Sequence, residues 1–290
     1  MKIMKKVLIT GATGFVGNHV VKELLKYNFE VLVAAQDVEQ CKSFAWFDKV
    51  KIFQFDLEEK NENYFQYFQE PDLMIHLAWF GLPNYKELFH IEKNLYQNYF
   101  FVKNMMMNGL KNISVIGTCF EYGMQNGCLR EDMETMPNNS YALAKDTLRK
   151  FMEELNKKYQ IDFKWIRLFY LFGEGQNKNS ILEQLKTAIR NNEKAFNMSG
   201  GEQLRDYLPI EKVAKYIVKI SLQNKVHGIF NCCSGKPISV KSLVENFLKE
   251  NNSEIDLNLG YYPYSDYEPM AFWGDNSKML DILNEKQDNK

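Results

Sequence analysis

Arginine is scarce in this chain. Only five of its 36 basic residues are arginine (Arg130, Arg149, Arg167, Arg190 and Arg205), so each one warrants separate inspection. Net charge is nearly absent as well: 36 basic against 37 acidic residues leaves −1, which provides no global field for nucleic acid or an anionic membrane. No stretch approaches the roughly 18 apolar residues of a membrane span. The N-terminal Met1-Lys-Ile-Met-Lys-Lys6 begins like a signal peptide, but the apolar run that follows, Val7-Leu-Ile-Thr10, is broken at once by Gly11. The five cysteines (Cys41, Cys119, Cys128, Cys232, Cys233) are odd in number and form no CxxC pair, which argues against both a disulfide scaffold and a metal site. Together these absences predict a reduced, cytoplasmic protein that engages neither membrane nor nucleic acid.

What is present is an ordinary soluble composition, 45% hydrophobic and 25% charged over 290 residues, with aromatics at 14%. That is enough for one large core or for a core domain with a smaller lobe. Strand and helix signals alternate over the first 170 residues. Apolar runs at 7–10, 31–35, 50–55, 73–77, 113–116 and 163–168 read as strands. Val16, Val20, Val21, Leu24 and Leu25 share one helical face. Long helices are predicted for 85–108 and 140–159, and further elements at 181–190 (helix), 210–222 (helix) and 229–232 (strand). Such alternation predicts an α/β fold: a Rossmann-type doubly wound parallel sheet, because parallel strands need crossover helices. Residues 1–170 form the expected dinucleotide-binding domain, with 209–235 returning to it. Residues 171–208 and 236–290 form the expected smaller, discontinuous substrate lobe, and 285–290 are expected to be a frayed polar end.

The first strand runs into Gly11-Ala-Thr13-Gly14-Phe15-Val16-Gly17 and then a helix. Glycines here permit a tight turn and the close approach of backbone N–H groups to a pyrophosphate at the helix N-terminus. The second strand ends in Ala35-Gln36 rather than in the acid that usually binds an adenosine ribose. That absence favours NADP(H), with NAD(H) as the alternative. Asp56-Leu57 after the third strand fits either an adenine contact or a plain turn. Further on, Tyr141-Ala-Leu-Ala-Lys145 sets a phenol and an ammonium at i and i+4 on one helix face. A cation there would lower the tyrosine pKa toward neutrality and make a usable proton donor.

In their order along the whole chain, these motifs resemble the extended short-chain dehydrogenase/reductase family, and specifically its nucleotide-sugar-modifying members. The pieces that carry the resemblance are Gly11/Gly14/Gly17, His76-Leu77-Ala78, Thr118…Tyr122-Gly123, Tyr141/Lys145, Arg167…Phe172-Gly173, Gly200-Gly-Glu-Gln-Leu-Arg205-Asp-Tyr207 and Gly274-Asp-Asn-Ser-Lys278. The resemblance implies a catalytic triad in which Thr118 hydrogen-bonds the reacting oxygen, Tyr141 moves the proton, and Lys145 tunes it and holds the nicotinamide ribose. It implies cofactor contacts at Gly11, Thr13, Gly14, Phe15, Val16, Gly17, Gln36, Asp56, Leu57, Leu77 and Ala78. It implies a nucleoside-diphosphate-sugar substrate at Gln176, Asn179, Ser180 and Arg205, with Arg205 on the diphosphate, although a surface pair with Asp206 is the plainer reading of that arginine. It also implies a homodimer through the two long helices.

Within the family, sugar-nucleotide dehydratases carry an Asp-Glu pair directly after the threonine. This chain has Cys119-Phe120 there, and Glu121 comes one position late, which turns it to the opposite face. Combined epimerase–reductases use a Cys/His acid–base pair, yet no histidine lies between His90 and His227. The reaction implied is therefore NADPH-dependent reduction of the C4 ketone of a nucleoside-diphosphate-4-keto-6-deoxysugar. A 4-epimerase with retained NAD is the alternative enzyme, and a non-catalytic dinucleotide sensor is the alternative of a different class.

Overall fold

A computed structural model describes residues 4–284; the expected frayed end at 285–290 lies outside the described residues. Seven parallel strands form the central sheet: β1 (Lys6–Thr10), β2 (Glu30–Ala35), β3 (Lys51–Gln54), β4 (Leu73–His76), β5 (Asn112–Thr118), β6 (Asp162–Leu168) and β7 (Gly228–Cys232). Their spatial order is β7-β6-β5-β4-β1-β2-β3. The chain direction of assembly reverses between β1 and β4, and a crevice opens there at the carboxyl ends of the strands, where α/β sheets bind ligands. The strands are near-continuous apolar runs because both faces are covered.

On one face α1 (Phe15–Leu24) packs with Val20, Val21 and Leu24 against Val7, Ile9 and Val33. On the other, α2 (Leu95–Met107) and α3 (Ser140–Tyr159) bury Phe101, Val102, Met105, Leu148 and Met152 over Leu8, Met74 and Val115. Residues 181–190 form α4 (Ile181–Arg190) and 210–222 form α5 (Ile210–Leu222), with the bounds their apolar periodicity predicts. The smaller lobe holds α4 against α6 (Val240–Glu250), with Leu182, Leu185, Phe196, Met198 and Val244 as its own core. Among the described residues no helix is long and apolar enough to cross a membrane.

Two expectations fail. The long helix predicted for 85–108 starts late: Gly81, at φ +88°, begins a turn that runs past Pro83, and regular α-helix starts only at Leu95 after a wide π-helical turn, His90–Asn94. Polar side chains hold this departure in place. His90 bonds the Asn84 carbonyl at 3.0 Å, and Asn94 donates to the Phe80 carbonyl at 2.8 Å. Residues 79–89 are thereby draped over the crevice. Second, the segment 236–290 does not stay in the lobe to its end. Helix α7 (Ser277–Asn284) returns to the main sheet, with Met279 fully buried in the α1/α5 layer and the Lys278 ammonium bonded to the carbonyls of His227 and Ile229.

Candidate active site

The glycine turn after β1 has the form of a phosphate cradle. Gly11 sits at φ +70°, and a Cβ there would stand 2.7 Å from the amide nitrogen of Ala78; one at Gly17 would stand 2.0 Å from the Gly11 carbonyl. Gly14 is the N-cap of α1 and supplies no side-chain cap, and the first turn holds no acid. Backbone N–H groups at this helix start are thus left for an anion. Opposite the turn, Thr10 and His76 hold the Leu77-Ala78 backbone. The Thr10 hydroxyl bonds His76 Nδ1 at 2.8 Å and accepts from the amides of Leu77 and Ala78 at 3.2 Å, while His76 Nε2 bonds Asn98 at 2.7 Å. Burial, helped by the positive charge of Lys145, pushes His76 down to about 3, so it stays neutral and serves as scaffold.

Two connected clefts meet at this turn. One, about 350 Å³, is lined by Gly11, Thr13, Gly14, Gln36, Asp56 and Leu57, and also by Leu77 and Ala78. At its far end Gln36 donates to the Asp56 carboxylate at 2.7 Å, so a residue from beyond β3 lies beside the end of β2. Asp37 faces elsewhere, capping its own short helix through the Gln40 amide at 3.1 Å, and Lys42 is paired with Glu39. Lys93, also in this cleft, is paired with Glu58. The second cleft, about 600 Å³, brings Phe15, Val16 and Gly17 together with Thr118, Tyr141, Lys145 and Gln176. The residues expected for the cofactor and the proton relay therefore line one continuous groove.

At its centre Tyr141, the second residue of α3, lines the cleft together with Thr118. Rings of Trp79, Tyr85 and His90 surround the phenol at centroid distances of 6.0, 5.5 and 5.4 Å. The Tyr141 amide donates to the Tyr85 carbonyl at 3.0 Å, which ties the draped loop to the helix. Lys145 is buried; its ammonium donates to the Ile116 carbonyl at 2.9 Å and lies 3.9 Å from the Trp79 ring centroid. The expectation of a lowered tyrosine pKa fails here. Burial raises it, the neighbouring Tyr85 and the Glu121 charge add to the rise, and the nearby Thr118 side chain offsets only part. Lys145 absorbs the complementary effect: burial lowers it to about 7, against the upward pull of Glu121. Desolvation outweighs pairing at both positions.

The residues expected for the substrate are dispersed. Gln176 lines the cleft and donates to the Leu171 carbonyl at 2.8 Å. Asn179 and Ser180 stand at the start of α4, where the Ser180 hydroxyl is buried without a hydrogen-bond partner. Arg205 is 4% exposed and makes no surface pair with Asp206. Its guanidinium reaches Glu268 at 2.9 Å and lies over the Phe272 ring at 4.7 Å. Asp206 instead accepts the amides of Ser234 and Gly235 at 2.6 and 2.9 Å. Sequence reasoning missed Trp79, Tyr85 and Glu268, which carry no motif of their own; the aromatic density of 79–89 was the available signal.

Residues 7–233 match the NAD dependent epimerase/dehydratase family. The chain is 33% identical over 270 residues to a dTDP-6-deoxy-L-talose 4-dehydrogenase (NAD(+)) of Aggregatibacter actinomycetemcomitans, covering 92% of this chain and 98% of the relative. It is 23% identical over 294 residues to a GDP-6-deoxy-D-talose 4-dehydrogenase of the same organism, covering 96% and 91%. Among solved structures it resembles a UDP-N-acetylglucosamine 4-epimerase from Methanobrevibacter ruminantium M1, with a TM-score of 0.84, 23% identity and coverage of 98% and 93%. A UDP-glucuronic acid 4-epimerase from Bacillus cereus gives a TM-score of 0.82 at 20% identity, covering 98% and 95%. With its glycine cradle and its Thr-Tyr-Lys set on one groove, the chain belongs to the NAD-dependent epimerase/dehydratase family of extended short-chain dehydrogenase/reductases and is an oxidoreductase.

Proposed function

We propose that this protein interconverts the C4 ketone and C4 alcohol of a nucleoside-diphosphate-linked 6-deoxyhexose, working as a ketone reductase. The observation that carries this reading is the convergence of Thr118, Tyr141 and Lys145 on one cleft beside the glycine cradle, together with the 33% identity to a deoxysugar 4-dehydrogenase. The cradle at Gly11, Gly14 and Gly17 fits a dinucleotide pyrophosphate, and a bound nicotinamide supplies the hydride. The chain's own residues handle the oxygen and its proton. The Thr118 hydroxyl donates a hydrogen bond to the ketone oxygen, and the Tyr141 phenol, kept protonated by its burial, transfers its proton as negative charge develops there. Trp79 and Tyr85 exclude water from the transfer. Glu121 faces away from the groove, so no acid of the dehydratase kind stands next to Thr118 to remove a second proton.

For the cofactor we favour NAD(H). The reading of NADP(H) rested on the missing acid at the end of β2, but Asp56, hydrogen-bonded to Gln36, stands beside that strand end. Lys93 and Glu58 are paired with each other, which leaves Asp56 as the uncompensated charge at this end of the groove, an environment that repels a 2′-phosphate and suits a ribose diol. The diphosphate of the substrate is assigned to Arg205, with the lobe residues around α4 and α6 holding the nucleotide. A homodimer through α2 and α3 belongs to the same reading, since Tyr96, Phe100 and Phe151 present rings outward there.

The test incubates the enzyme with NADH or NADPH and with 4-keto-6-deoxysugars on several nucleotides, following cofactor absorbance and product mass. Stoichiometric NADH loss with a gain of two hydrogens is expected. Isomerisation without cofactor consumption would replace this reading with a 4-epimerase, the activity named for the two solved structures.

A further inference from the structure

Directly beneath Thr118 lies a carboxylate that the proposed reaction does not use. Glu121 is fully buried; besides a longer ion pair with Arg149 of α3 at 3.9 Å, its carboxylate bonds the end of β5 and two side chains of β6. Its Oε1 accepts from the Thr118 amide at 2.9 Å and from Trp165 Nε1 at 2.9 Å; its Oε2 accepts from Arg167 Nε at 2.7 Å and from the same indole at 3.1 Å. Trp165 and Arg167 are two residues apart on β6, so they present the same face, and they lie in register with Val115 and Gly117 of β5. The bare α-carbon of Gly117 makes room for this contact. A Cβ there would stand 2.5 Å from Glu121 Oε1 and 2.2 Å from Trp165 Nε1.

A buried ion pair is an expensive way to fill a core, and apolar groups of the same volume often serve stability as well. An apolar filling would leave the Thr118 N–H unpaired. With the carboxylate in place the backbone of Thr118 is held from below, and its hydroxyl accepts from the Phe120 amide at 3.3 Å. A hydroxyl has a single hydrogen to donate, so the one at Thr118 remains available on the groove side, where Tyr141 stands.

We propose that Glu121 is a positioning residue: clamped by Trp165 and Arg167, it fixes the Thr118 backbone and so aims the Thr118 hydroxyl at the reacting oxygen. The inference rests on the proposed reaction at Tyr141, and it assigns Glu121 no contact with substrate or cofactor.

The experiment is a double-mutant cycle of Glu121→Gln with Thr118→Val, read as kcat and KM with the best 4-keto sugar found for the wild type. Misplacing a reacting group by about an ångström costs on the order of 10²-fold. Glu121→Gln is therefore expected to lower kcat by about 10- to 100-fold while KM stays within about twofold. In the Thr118→Val background the same change should cost less than about twofold, because the hydroxyl it positions is already gone. Equal losses in both backgrounds would overturn the proposal, as would a rise in KM with kcat unchanged. Glu121→Gln leaves Arg167 buried without its partner and can fail to fold. The cycle is then run with the uncharged pair Glu121→Gln/Arg167→Gln under the same criteria. A wild type that turns over no 4-keto sugar refutes the proposed reaction instead. In that case amide exchange decides on Glu121: loss of protection at the Thr118 amide relative to the rest of β5 supports the clamp, and unchanged protection there overturns it.

Discussion

The ammonium of Lys145 lies 3.9 Å from the centroid of the Trp79 ring, and its hydrogen bond is to a carbonyl, that of Ile116, at 2.9 Å. Neither partner is an anion. The nearest negative charge acting on it, Glu121, is itself committed to Arg167, so burial dominates and Lys145 falls from 10.5 to about 7.

That shift has a direction in stability. The unfolded chain holds the Lys145 proton up to about 10.5, the folded chain only to about 7. Between those values unfolding takes up a proton, so this group makes the folded state more stable as pH rises through the window. Replacing Lys145 with Met removes the slope. Chemical denaturation from pH 6.5 to 10 should show the wild type gaining on Lys145→Met with rising pH; parallel curves would mean that the ammonium is not desolvated.

Tyr141→Phe keeps the ring that packs among Trp79, Tyr85 and His90 and removes only the proton. A loss of roughly 10²–10⁴ in kcat is expected, with cofactor affinity unchanged by calorimetry. Retention of most of the activity would place the proton donor elsewhere.

Arg205 and Glu268 predict opposite effects on substrate affinity. The carboxylate occupies the guanidinium at 2.9 Å, so a diphosphate must compete with it. Glu268→Gln is expected to lower KM for the nucleotide-sugar by several-fold. Arg205→Ala should raise it by about tenfold or more, the scale of one charge-assisted contact. If KM moves in the same direction in both variants, the diphosphate binds away from Arg205.

Phe100, on α2, is 60% exposed beside Tyr96 and across from Phe151 of α3. If two copies meet through these helices, Phe100→Glu buries a charge in the interface. Sedimentation velocity should then show a dimer for the wild type and a monomer for the variant. A wild type that sediments as a monomer at micromolar concentration removes the dimer from the proposed function.

Local patterns in the chain determined a good deal. Helices α3, α4 and α5 run over the residues predicted for them, and in the structure Asn139 caps α3 through the Ala142 amide. The glycine turn was legible because a tight strand-to-helix turn restricts which residues fit, and the Tyr-Lys spacing because one helical turn brings i and i+4 together. Only the tertiary structure decided the rest. Asp56 restores a carboxylate beside β2 through a hydrogen bond spanning 20 residues of sequence, Glu268 reaches Arg205 across 63, and α7 returns to the main sheet. The tyrosine pKa went against the local reading for the same reason. The i+4 spacing to the lysine is visible in the sequence, whereas the burial that raises the phenol, among the rings of Trp79, Tyr85 and His90, exists only after folding. Spacing along a chain reports which groups can meet, and burial decides what those groups do once they have met.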